Sequence, residues 1–358
     1  MKHSLPSVAI IVPAYNEEEQ IAATLDSLLS QTSRADRIIV VCNNCTDSTV
    51  DIVRAYAADD IELIEMPHNP YKKAGALNAG IRRLFSSDQN LVTDYDFVLT
   101  IDGDTILDQH FIERCLKIMT RKRELGGVSA TCIGKSIEAQ TLWQKMILLM
   151  QKIEYSRYAV MRIRVDVHTM SGAGSFYRAT ALNQLLSERL NIFDERNTNL
   201  VEDFATTLDL KDLGWKITTN EKCVAFTDLM PTVRQLLRQR ERWVRGTTDE
   251  LRARGWRAST WKSIIQLQLA ILGLVVPLIW VGLITWQVSR DDFHPNALWL
   301  LWIGFWCCYQ AFAVRKLGFK VMLFEAALLP EMFFGLLRQY WLIKSVFMSY
   351  RSRAQAWE

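Results

Sequence analysis

Residues 8–17 read VAIIVPAYNE, an apolar and β-branched run that ends at a proline and passes into polar residues. The apolar run 8–12 predicts a strand, and the pattern from Glu17 to Ser30 predicts the helix that follows it. The same alternation continues along the chain, with further strands predicted at 37–41, 61–65 and 97–101 and helices at 47–57 and 73–85. Continuous apolar strands that alternate with helices are typical of a buried parallel sheet. The sequence therefore predicts an α/β domain.

The composition is that of a folded chain with little net charge. The chain has 358 residues, 49% of them hydrophobic, and its 42 Lys and Arg against 39 Asp and Glu give a formal net charge of +3. So small an excess offers no general basic surface, and DNA and RNA are therefore excluded as partners. No glycine-rich dinucleotide motif follows the first strand and no Walker lysine motif occurs, which argues against dinucleotide enzymes and P-loop NTPases.

Polar residues follow three of the predicted strands at the point where each strand ends. They are Tyr15 to Glu17, Asn43 to Asp47 and Asp102 to Asp104. In open α/β sheets, ligands bind at the carboxyl ends of the strands. The sequence therefore predicts a binding site at this edge of the sheet.

The segment Asp102-Gly103-Asp104 places two carboxylates one residue apart at the end of a predicted strand. Residues i and i+2 lie on one side of an extended chain, so both carboxylates can face one cation. Such hard oxygen ligands suit Mg²⁺ or Mn²⁺ that is held jointly with substrate phosphates. By itself, such a segment is more often an ordinary turn.

Two further motifs lie later in the chain. Val201-Glu202-Asp203 opens a predicted helix with adjacent acids, and Gln239-x-x-Arg242-Trp243 lies on a long basic helix. Taken singly, the first is compatible with a favourable charge pair at a helix N-terminus and the second with a solvated cationic face.

Together and in this order, the motifs of the chain resemble those of the family 2 glycosyltransferases, which have a GT-A (Rossmann-like) fold. The resemblance covers about residues 6 to 250 and is closer to the membrane branch that contains cellulose, chitin, hyaluronan and poly-N-acetylglucosamine synthases and ceramide glucosyltransferases. It implies an inverting transfer of a sugar from a nucleotide diphosphate donor at the cytoplasmic face of a membrane. The motifs are Pro13-Ala14-Tyr15-Asn16-Glu17, Lys73-Ala74-Gly75-Ala76-Leu77-Asn78, Asp102-Gly103-Asp104, Val201-Glu202-Asp203 and Gln239-x-x-Arg242-Trp243.

The resemblance also implies a role for individual residues. Asp203 resembles the general base that takes the proton of the acceptor hydroxyl, a task that a positioned carboxylate can perform. Asp104, together with Asp102, resembles the metal-binding pair, so Mn²⁺ or Mg²⁺ is the implied cofactor. The residues that resemble the donor-binding set are Tyr15, Glu17, Asn43, Lys73, Asp102, Gln239, Arg242 and Trp243. Those on the acceptor side are Ser171, Gly172 and Trp243.

One position departs from the family pattern. Soon after the second strand the family usually has an aspartate that often contacts uracil, and this chain has Asn43 as its counterpart. An amide can donate and accept hydrogen bonds, whereas a carboxylate only accepts them. UDP is the nucleotide that the resemblance favours, and the substitution leaves the identity of the base open.

The composition changes after about residue 263. Residues 264–286 form an apolar stretch with Gln266 and Gln268 as its strongly polar interruptions, and a second apolar stretch covers 297–314. Both are long enough to cross a bilayer. The sequence therefore predicts a cytosolic GT-A domain at 1–255 and a C-terminal transmembrane helical region at 256–358.

Basic residues before the first predicted span and after the second place both termini in the cytoplasm, since positive charge is retained on that side. A third apolar run within 321–350 is interrupted by Glu325, Pro330 and Glu331. It predicts an interfacial or re-entrant segment, with a third crossing as the alternative. Residues 140–164 predict either another interfacial helix or an ordinary amphipathic core helix.

These observations predict an integral membrane enzyme that extends a glycan, with a nucleotide sugar, a glycan or lipid acceptor and the lipid bilayer as its partners. Two spans are few for one chain to build a conduit for a polymer, so association into a homo-oligomer is one expectation. Non-processive transfer of one sugar to a lipid carrier or a protein is the alternative. A catalytically silent nucleotide-sugar-binding scaffold is the remote one.

Overall fold

The computed structural model of the protein describes residues 6–56, 61–85, 93–135, 138–162, 167–195, 201–290, 297–327 and 329–351. The chain divides into two units. The first lies within 6–138 and 161–229, and the second within 139–160 and 230–351. This division differs from the boundary expected at 255, because an internal helix and the long basic helix belong with the C-terminal helices.

The first unit contains, within the described residues, a mixed sheet of eight strands in the order β3-β2-β1-β4-β7-β6-β8-β5. In chain order the strands are β1 (Val8–Ala14), β2 (Arg37–Asn43), β3 (Ile61–Met66), β4 (Phe97–Thr100), β5 (Ile106–Leu107), β6 (Leu125–Gly134), β7 (Ser175–Arg178) and β8 (Lys216–Thr227). Its helices are α1 (Ile21–Leu29), α2 (Thr49–Tyr56), α3 (Lys72–Leu84), α4 (Phe111–Arg121), α6 (Ala179–Glu188) and α7 (Glu202–Asp212).

The predicted alternation of strands and helices is confirmed in the first half of the sheet. Strand β1 lies parallel to β2 on one side and to β4 on the other, and β2 lies parallel to β3. The second half is different, because β7 pairs antiparallel with both β4 and β6. Beyond β7, β6 and β8 are again parallel, and β8 pairs antiparallel with β5. The sheet is therefore mixed, and the parallel pattern expected from the sequence does not extend through all of it. Strand β7 has four residues, too few for a periodic signal.

Both faces of the sheet are covered, and this explains the continuous apolar strands. On one face of β1, Ile10 and Val12 pack with Leu25 of α1. On the other face, Ile11 packs with Ile81 of α3. A strand buried on both sides carries apolar side chains at every position. Because β1, β2 and β4 are parallel to one another, they end at one common edge of the sheet.

The second unit consists of helices. They are α5 (Leu142–Arg162), α8 (Val233–Arg254), α9 (Trp261–Ser289), α10 (Ala297–Ala313), a 3₁₀ turn (Arg315–Leu317), α11 (Phe319–Ala326) and α12 (Leu329–Arg351). Helices α9 and α10 cover the two predicted spans, and α11 and α12 cover the predicted interfacial segment. Of the residues that the structure describes, no helix combines the length and the apolar character needed to cross a membrane. The side chains at 274–277, 280, 298 and 299 of the predicted spans lie outside the described set.

Helix α5 corresponds to the predicted amphipathic helix at 140–164. Ile147 and Met150 are buried against Leu236 of α8 and Trp341 of α12. The first turn of α5 is exposed, with Leu142 at 83% of its full accessibility. Helix α5 is therefore a core helix of the second unit along its buried face. Membrane contact through its exposed first turn stays a prediction.

Candidate active site

The ends of β1 and β2 are joined by side-chain hydrogen bonds at the carboxyl edge of the sheet. Asn16 and Asn44 adopt positive φ angles of 53° and 54°, so the chain turns sharply after each strand. Asparagine tolerates this left-handed conformation better than other non-glycine residues. The Asn16 side chain accepts a hydrogen bond from the backbone N–H of Thr46 at 2.8 Å. The two loops are thereby held side by side at the predicted binding edge.

Lys73 connects three of the motifs that the sequence singled out. Its Nζ lies 2.5 Å from Oδ1 of Asp102 and 2.9 Å from Oε1 of Glu202. Lys73 is at the start of α3, Asp102 follows β4 and Glu202 opens α7. Burial lowers the pKa of Lys73, but Asp102 and Glu202 raise it well above its ordinary value, so the ammonium form is strongly favoured. The side chain stays one-third exposed and can still meet a ligand.

Asp203 is held by two backbone N–H groups. Its Oδ1 accepts a hydrogen bond from Phe204 N at 2.7 Å, and its Oδ2 accepts one from Gly172 N at 3.1 Å. The pKa of Asp203 is raised to about 6, first by burial and next by the charge of Glu202, while Lys73 opposes the rise. The carboxylate is thus mostly ionised at neutral pH and can be protonated with little cost, as a general base requires.

A side chain at Gly172 would crowd the Lys73–Asp102 pair. A Cβ at this position would come within 2.9 Å of Lys73 Nζ and 3.1 Å of Asp102 Oδ2. The neighbouring Ser171 has its hydroxyl 3.1 Å from the Cys132 thiol. The structure therefore brings Gly172 against the Lys73–Asp102 pair and Asp203, and it directs the Ser171 hydroxyl to Cys132 instead.

The Asp102-Gly103-Asp104 segment lies close to the loop that follows β1. A Cβ at Gly103 would lie 3.2 Å from Glu17 Cγ and from the backbone carbonyl of Pro13. The glycine thus lets Glu17 approach the two aspartates. Asp104 Oδ1 also accepts a hydrogen bond from Thr105 Oγ1 at 3.2 Å.

The carboxylates around Asp104 concentrate negative charge in a partly buried place. Burial raises the pKa of Asp104, and the charges of Asp102 and Asp228 raise it further. Burial and the neighbouring Asp104 and Asp102 likewise raise the pKa of Glu17 to about 7. Lys135 Nζ lies 3.2 Å from Asp228 and donates to the carbonyl of Asp104 at 2.5 Å, which offsets part of this negative charge.

Within the part of the chain that is described, no group of three His, Cys, Asp or Glu side chains is arranged to hold a metal ion. An ion at Asp104 would therefore need further oxygen ligands from a substrate, as Mg²⁺ sites with one or two carboxylates do. The hard oxygen donors and the crowded negative charge agree with such a site.

The predicted donor residues Tyr15 and Asn43 occupy the same edge in different ways. The Tyr15 side chain is 58% exposed. Asn43 is buried, and its Oδ1 accepts a hydrogen bond from Asn69 Nδ2 at 2.7 Å. Sequence analysis missed Asn69. The Asn69-Pro70 dipeptide signals a turn before α3, but no local pattern indicates its partner 26 positions away.

Gln239, Arg242 and Trp243 lie on α8 of the second unit, where Arg240 organises two of them. Arg240 Nη1 donates to Gln239 Oε1 at 3.1 Å, and its guanidinium lies 4.3 Å from the centre of the Trp243 ring. Arg240 itself is buried and paired with Glu154 of α5 at 2.6 Å. Sequence analysis did not single out Arg240 or Glu154.

Comparison with known proteins identifies the family to which most of this chain is similar. The model of a family described as glycosyltransferase like family 2 matches residues 6–246. An N-acetylglucosaminyltransferase of Azorhizobium caulinodans is 28% identical over 256 residues, which are 68% of this chain and 60% of that protein. A poly-beta-1,6-N-acetyl-D-glucosamine synthase of Staphylococcus epidermidis is 22% identical over 299 residues, which are 81% of this chain and 66% of that protein. The chain thus spans less than two thirds of the length of either relative.

A solved structure with a similar fold is that of the mannosyltransferase PcManGT from Pyrobaculum calidifontis in complex with GDP-Man and Mn²⁺. The TM-score is 0.60 at 18% sequence identity, and the match covers 98% of this chain and 89% of that one. This likeness supports the GT-A-type arrangement of the first unit.

Proposed function

Because this chain belongs to the glycosyltransferase-like family 2, we propose that it transfers a sugar from a UDP-sugar to a growing glycan with inversion at the anomeric carbon. The observation that carries the proposal is the placement of Asp203. Gly172 is a neighbour of both the Asp203 carboxylate and the Lys73–Asp102 pair. Its backbone N–H donates a hydrogen bond to Asp203, and a Cβ on Gly172 would lie close to the pair. A base and a diphosphate-binding cation within one group of side chains are what a single displacement needs.

Asp203 serves as the base. The acceptor hydroxyl oxygen attacks the anomeric carbon, its proton passes to Asp203, and the bond from that carbon to the diphosphate breaks. The nucleoside diphosphate leaves with the bonding electron pair. Because the attack comes from the face opposite the leaving group, the configuration inverts. The two N–H groups on Asp203 fix its orientation and leave lone pairs for the incoming proton.

Lys73, Asp102 and Asp104 serve the donor. The Lys73 ammonium offers positive charge to the diphosphate, and Asp102 holds that ammonium in place. Asp104, with Asp102 beside it, would hold Mn²⁺ or Mg²⁺, which supplies positive charge for the developing diphosphate charge. Tyr15, Glu17 and the other residues of the predicted donor-binding set are proposed to bind the nucleotide sugar as well.

The two relatives support N-acetylhexosamine as the sugar and a polymer as the product. One is named an N-acetylglucosaminyltransferase and the other a polymer synthase, and both match most of this chain. Gln239, Arg242 and Trp243 are part of the proposal, with the Trp243 ring as a flat surface for the terminal sugar of the acceptor.

We also propose that the second unit associates with a membrane, with the active site on the cytoplasmic side. Large apolar side chains on α9 and α10 support this, since Leu278 is 63% exposed, Leu301 is 69% exposed and Trp302 is 65% exposed. Contiguous exposed apolar surface is typical of sites that contact a membrane or another protein.

The experiment is a screen of radiolabelled nucleotide sugars with membranes that contain the protein, followed by separation of the products by length. A ladder with UDP-N-acetylglucosamine is expected, and the Asp203→Asn variant should give none. If a single labelled lipid or protein species formed at saturating donor, the enzyme would transfer one sugar and would not build a polymer. Absence of any transfer or hydrolysis with every donor would reject the proposed activity.

A further inference from the structure

The backbone of the Asp102-Gly103-Asp104 turn is held by hydrogen bonds from outside the two aspartates. Thr105 N donates to the carbonyl of Asp102 at 3.2 Å. The hydroxyl of Thr24, on α1, donates to the carbonyl of Gly103 at 2.8 Å and lies farther, at 3.4 Å, from the carbonyl four residues before it. Thr24 is fully buried, so water does not compete for this contact. The first two carbonyls of the turn are therefore fixed.

Lys135 holds the last carbonyl of the turn. It follows β6, and its Nζ donates to the carbonyl of Asp104 at 2.5 Å and to Gln20 Oε1 at 2.8 Å. The same Nζ lies 3.2 Å from Asp228 Oδ1. An ammonium group has three N–H donors, and these three acceptors engage all of them. Lys135 therefore acts on the turn and has no donor left for a ligand.

Gln20 and Asp228 fix the position of the Lys135 ammonium. Gln20 Nε2 donates to Asp228 Oδ2, so the three side chains bond to one another in a closed triangle. Gln20 directly precedes α1, and its backbone N–H donates to the carbonyl of Glu17 at 2.9 Å. The triangle thus joins the turn at Glu17 to the turn around Gly103, and these two segments approach each other closely.

We propose that Thr24 and Lys135 are positioning residues of the cation site, because they hold the backbone of the turn so that its two carboxylates already face the ion that binds with the donor. The inference rests on the proposed function, since that function places Mn²⁺ or Mg²⁺ at Asp104. Hydrogen bonds to the residues that ligate a metal ion orient its ligands and raise its affinity. A turn that is already held also loses less conformational freedom when the ion binds.

Thr24→Val tests the first contact without a change of charge, because valine has the shape of threonine but lacks the hydroxyl. Calorimetric titrations of UDP with Mn²⁺ and with a chelator give the factor by which Mn²⁺ tightens UDP binding. This factor should fall roughly threefold to tenfold in Thr24→Val, as expected for one lost hydrogen bond. The UDP affinity in the chelator should stay the same.

Thr120→Val is the matched control for this variant. Thr120 is an exposed residue of α4, and its hydroxyl also donates to a carbonyl, that of Leu116, at 2.7 Å. The factor should be that of the wild type in this control. An undiminished factor in Thr24→Val would overturn the proposal.

Lys135→Met separates positioning from charge. Loss of a cation by itself would strengthen the binding of Mn²⁺, whereas loss of the hydrogen bond to Asp104 should weaken it. We expect the factor to fall about tenfold in Lys135→Met, and Lys135→Arg, which keeps a cation with N–H donors, should retain most of it. Lys117→Met removes the same charge from the exposed surface of α4 and should have no effect. A factor that rises or stays unchanged in Lys135→Met would overturn the proposal.

Thermal unfolding of each variant in the chelator gives its stability without the metal ion. A purely structural role of Thr24 and Lys135 would lower the unfolding temperature and weaken UDP binding equally with and without Mn²⁺. The factor would then be unchanged, and the proposal would be overturned while the metal site of the proposed function stood. If Mn²⁺ did not tighten UDP binding by the wild type, that metal site and this inference would both be rejected.

Discussion

Lys73 in the first unit and Arg240 in the second are both cations held against carboxylates, but they differ in what stays open to solvent. The Lys73 side chain is 34% exposed and has partners from two motifs, Asp102 and Glu202. The Arg240 side chain is 4% exposed, and its partner Glu154 is 8% exposed. The Lys73 ammonium is accessible to a ligand, whereas the Arg240 guanidinium is buried among its neighbours and is not.

The difference shows how one kind of ion pair serves two purposes. A partly exposed ion pair contributes little to stability, because water screens it. A buried ion pair also adds little net stability. Removing one of its partners is nevertheless strongly destabilising, because the other charge is left buried without compensation. We therefore expect changes at Lys73 and its neighbours to affect chemistry and changes at Arg240 to affect stability.

The largest expected effect on chemistry is that of Asp203→Asn. An amide cannot accept the proton of the acceptor hydroxyl, so the transfer rate should fall about 10²- to 10⁴-fold. UDP affinity should change little, because the nucleotide is held by other residues. The measurements are initial transfer rates at saturating donor and calorimetric titration with UDP. Near-normal turnover in this variant would remove Asp203 from the mechanism.

A matched pair of variants tests the comparison itself. Arg240→Met leaves Glu154 buried without its partner, so the free energy of unfolding should fall by about 3–5 kcal/mol. Lys73→Met should instead lower the kcat/KM of transfer by roughly tenfold to a hundredfold, with a much smaller change in stability. Thermal unfolding and initial rates of both variants give the result.

The double variant Arg240→Met/Glu154→Met is the control for this pair. Two apolar side chains of similar volume often replace a buried ion pair at no net loss of stability. The double variant should therefore be more stable than Arg240→Met alone. Equal instability of the single and double variants would mean that lost packing against Trp243, and not unpaired charge, dominates.

The Asp104→Ala change should remove the metal-dependent part of UDP affinity. A Mg²⁺ or Mn²⁺ ion with one or two protein carboxylates depends on each of them. The measurement is calorimetric titration of UDP with Mn²⁺ and with a chelator. The wild type should bind more tightly with Mn²⁺, and the variant should bind equally in both. An undiminished effect of Mn²⁺ in the variant would contradict the assignment of Asp104.

The part of the site that could be predicted from sequence is the part that follows from local patterns. Strand periodicity located the ends of β1, β2 and β4, and Asp102, Asp104 and Asn43 follow from those ends. Contacts between distant segments could not be predicted. Glu202 lies beside the expected base, but its contact with Lys73 joins two segments that are far apart in the chain. The Asn69–Asn43 and Arg240–Glu154 contacts are of the same kind.

The antiparallel pairing of β7 shows the same limit. Strand β7 is four residues long, and its position beside β4 depends on pairing with segments elsewhere in the chain. Periodicity indicates that a strand is buried but does not indicate its neighbour. The binding edge was predictable because parallel strands with crossover helices all end on one side of a sheet.

The smallest expected effect concerns pH. The pKa of Asp203 is about 6, raised first by burial and next by the charge of Glu202. The base must be ionised, so the transfer rate should be full above this pKa and fall as the pH decreases through about 6. Glu202→Gln removes the nearby negative charge and also leaves more of the Lys73 charge uncompensated. Both changes lower the pKa of Asp203, so the acid limb of the rate profile should move to lower pH.

The measurement is the pH profile of kcat for the wild type, Glu202→Gln and a control. Glu188→Gln is a suitable control, because Glu188 is an exposed residue of α6 that carries the same charge. Its acid limb should coincide with that of the wild type. A purely structural role of Glu202 would lower kcat at every pH without moving the limb. An acid limb that moves to higher pH in Glu202→Gln would contradict the electrostatic coupling between Glu202 and Asp203.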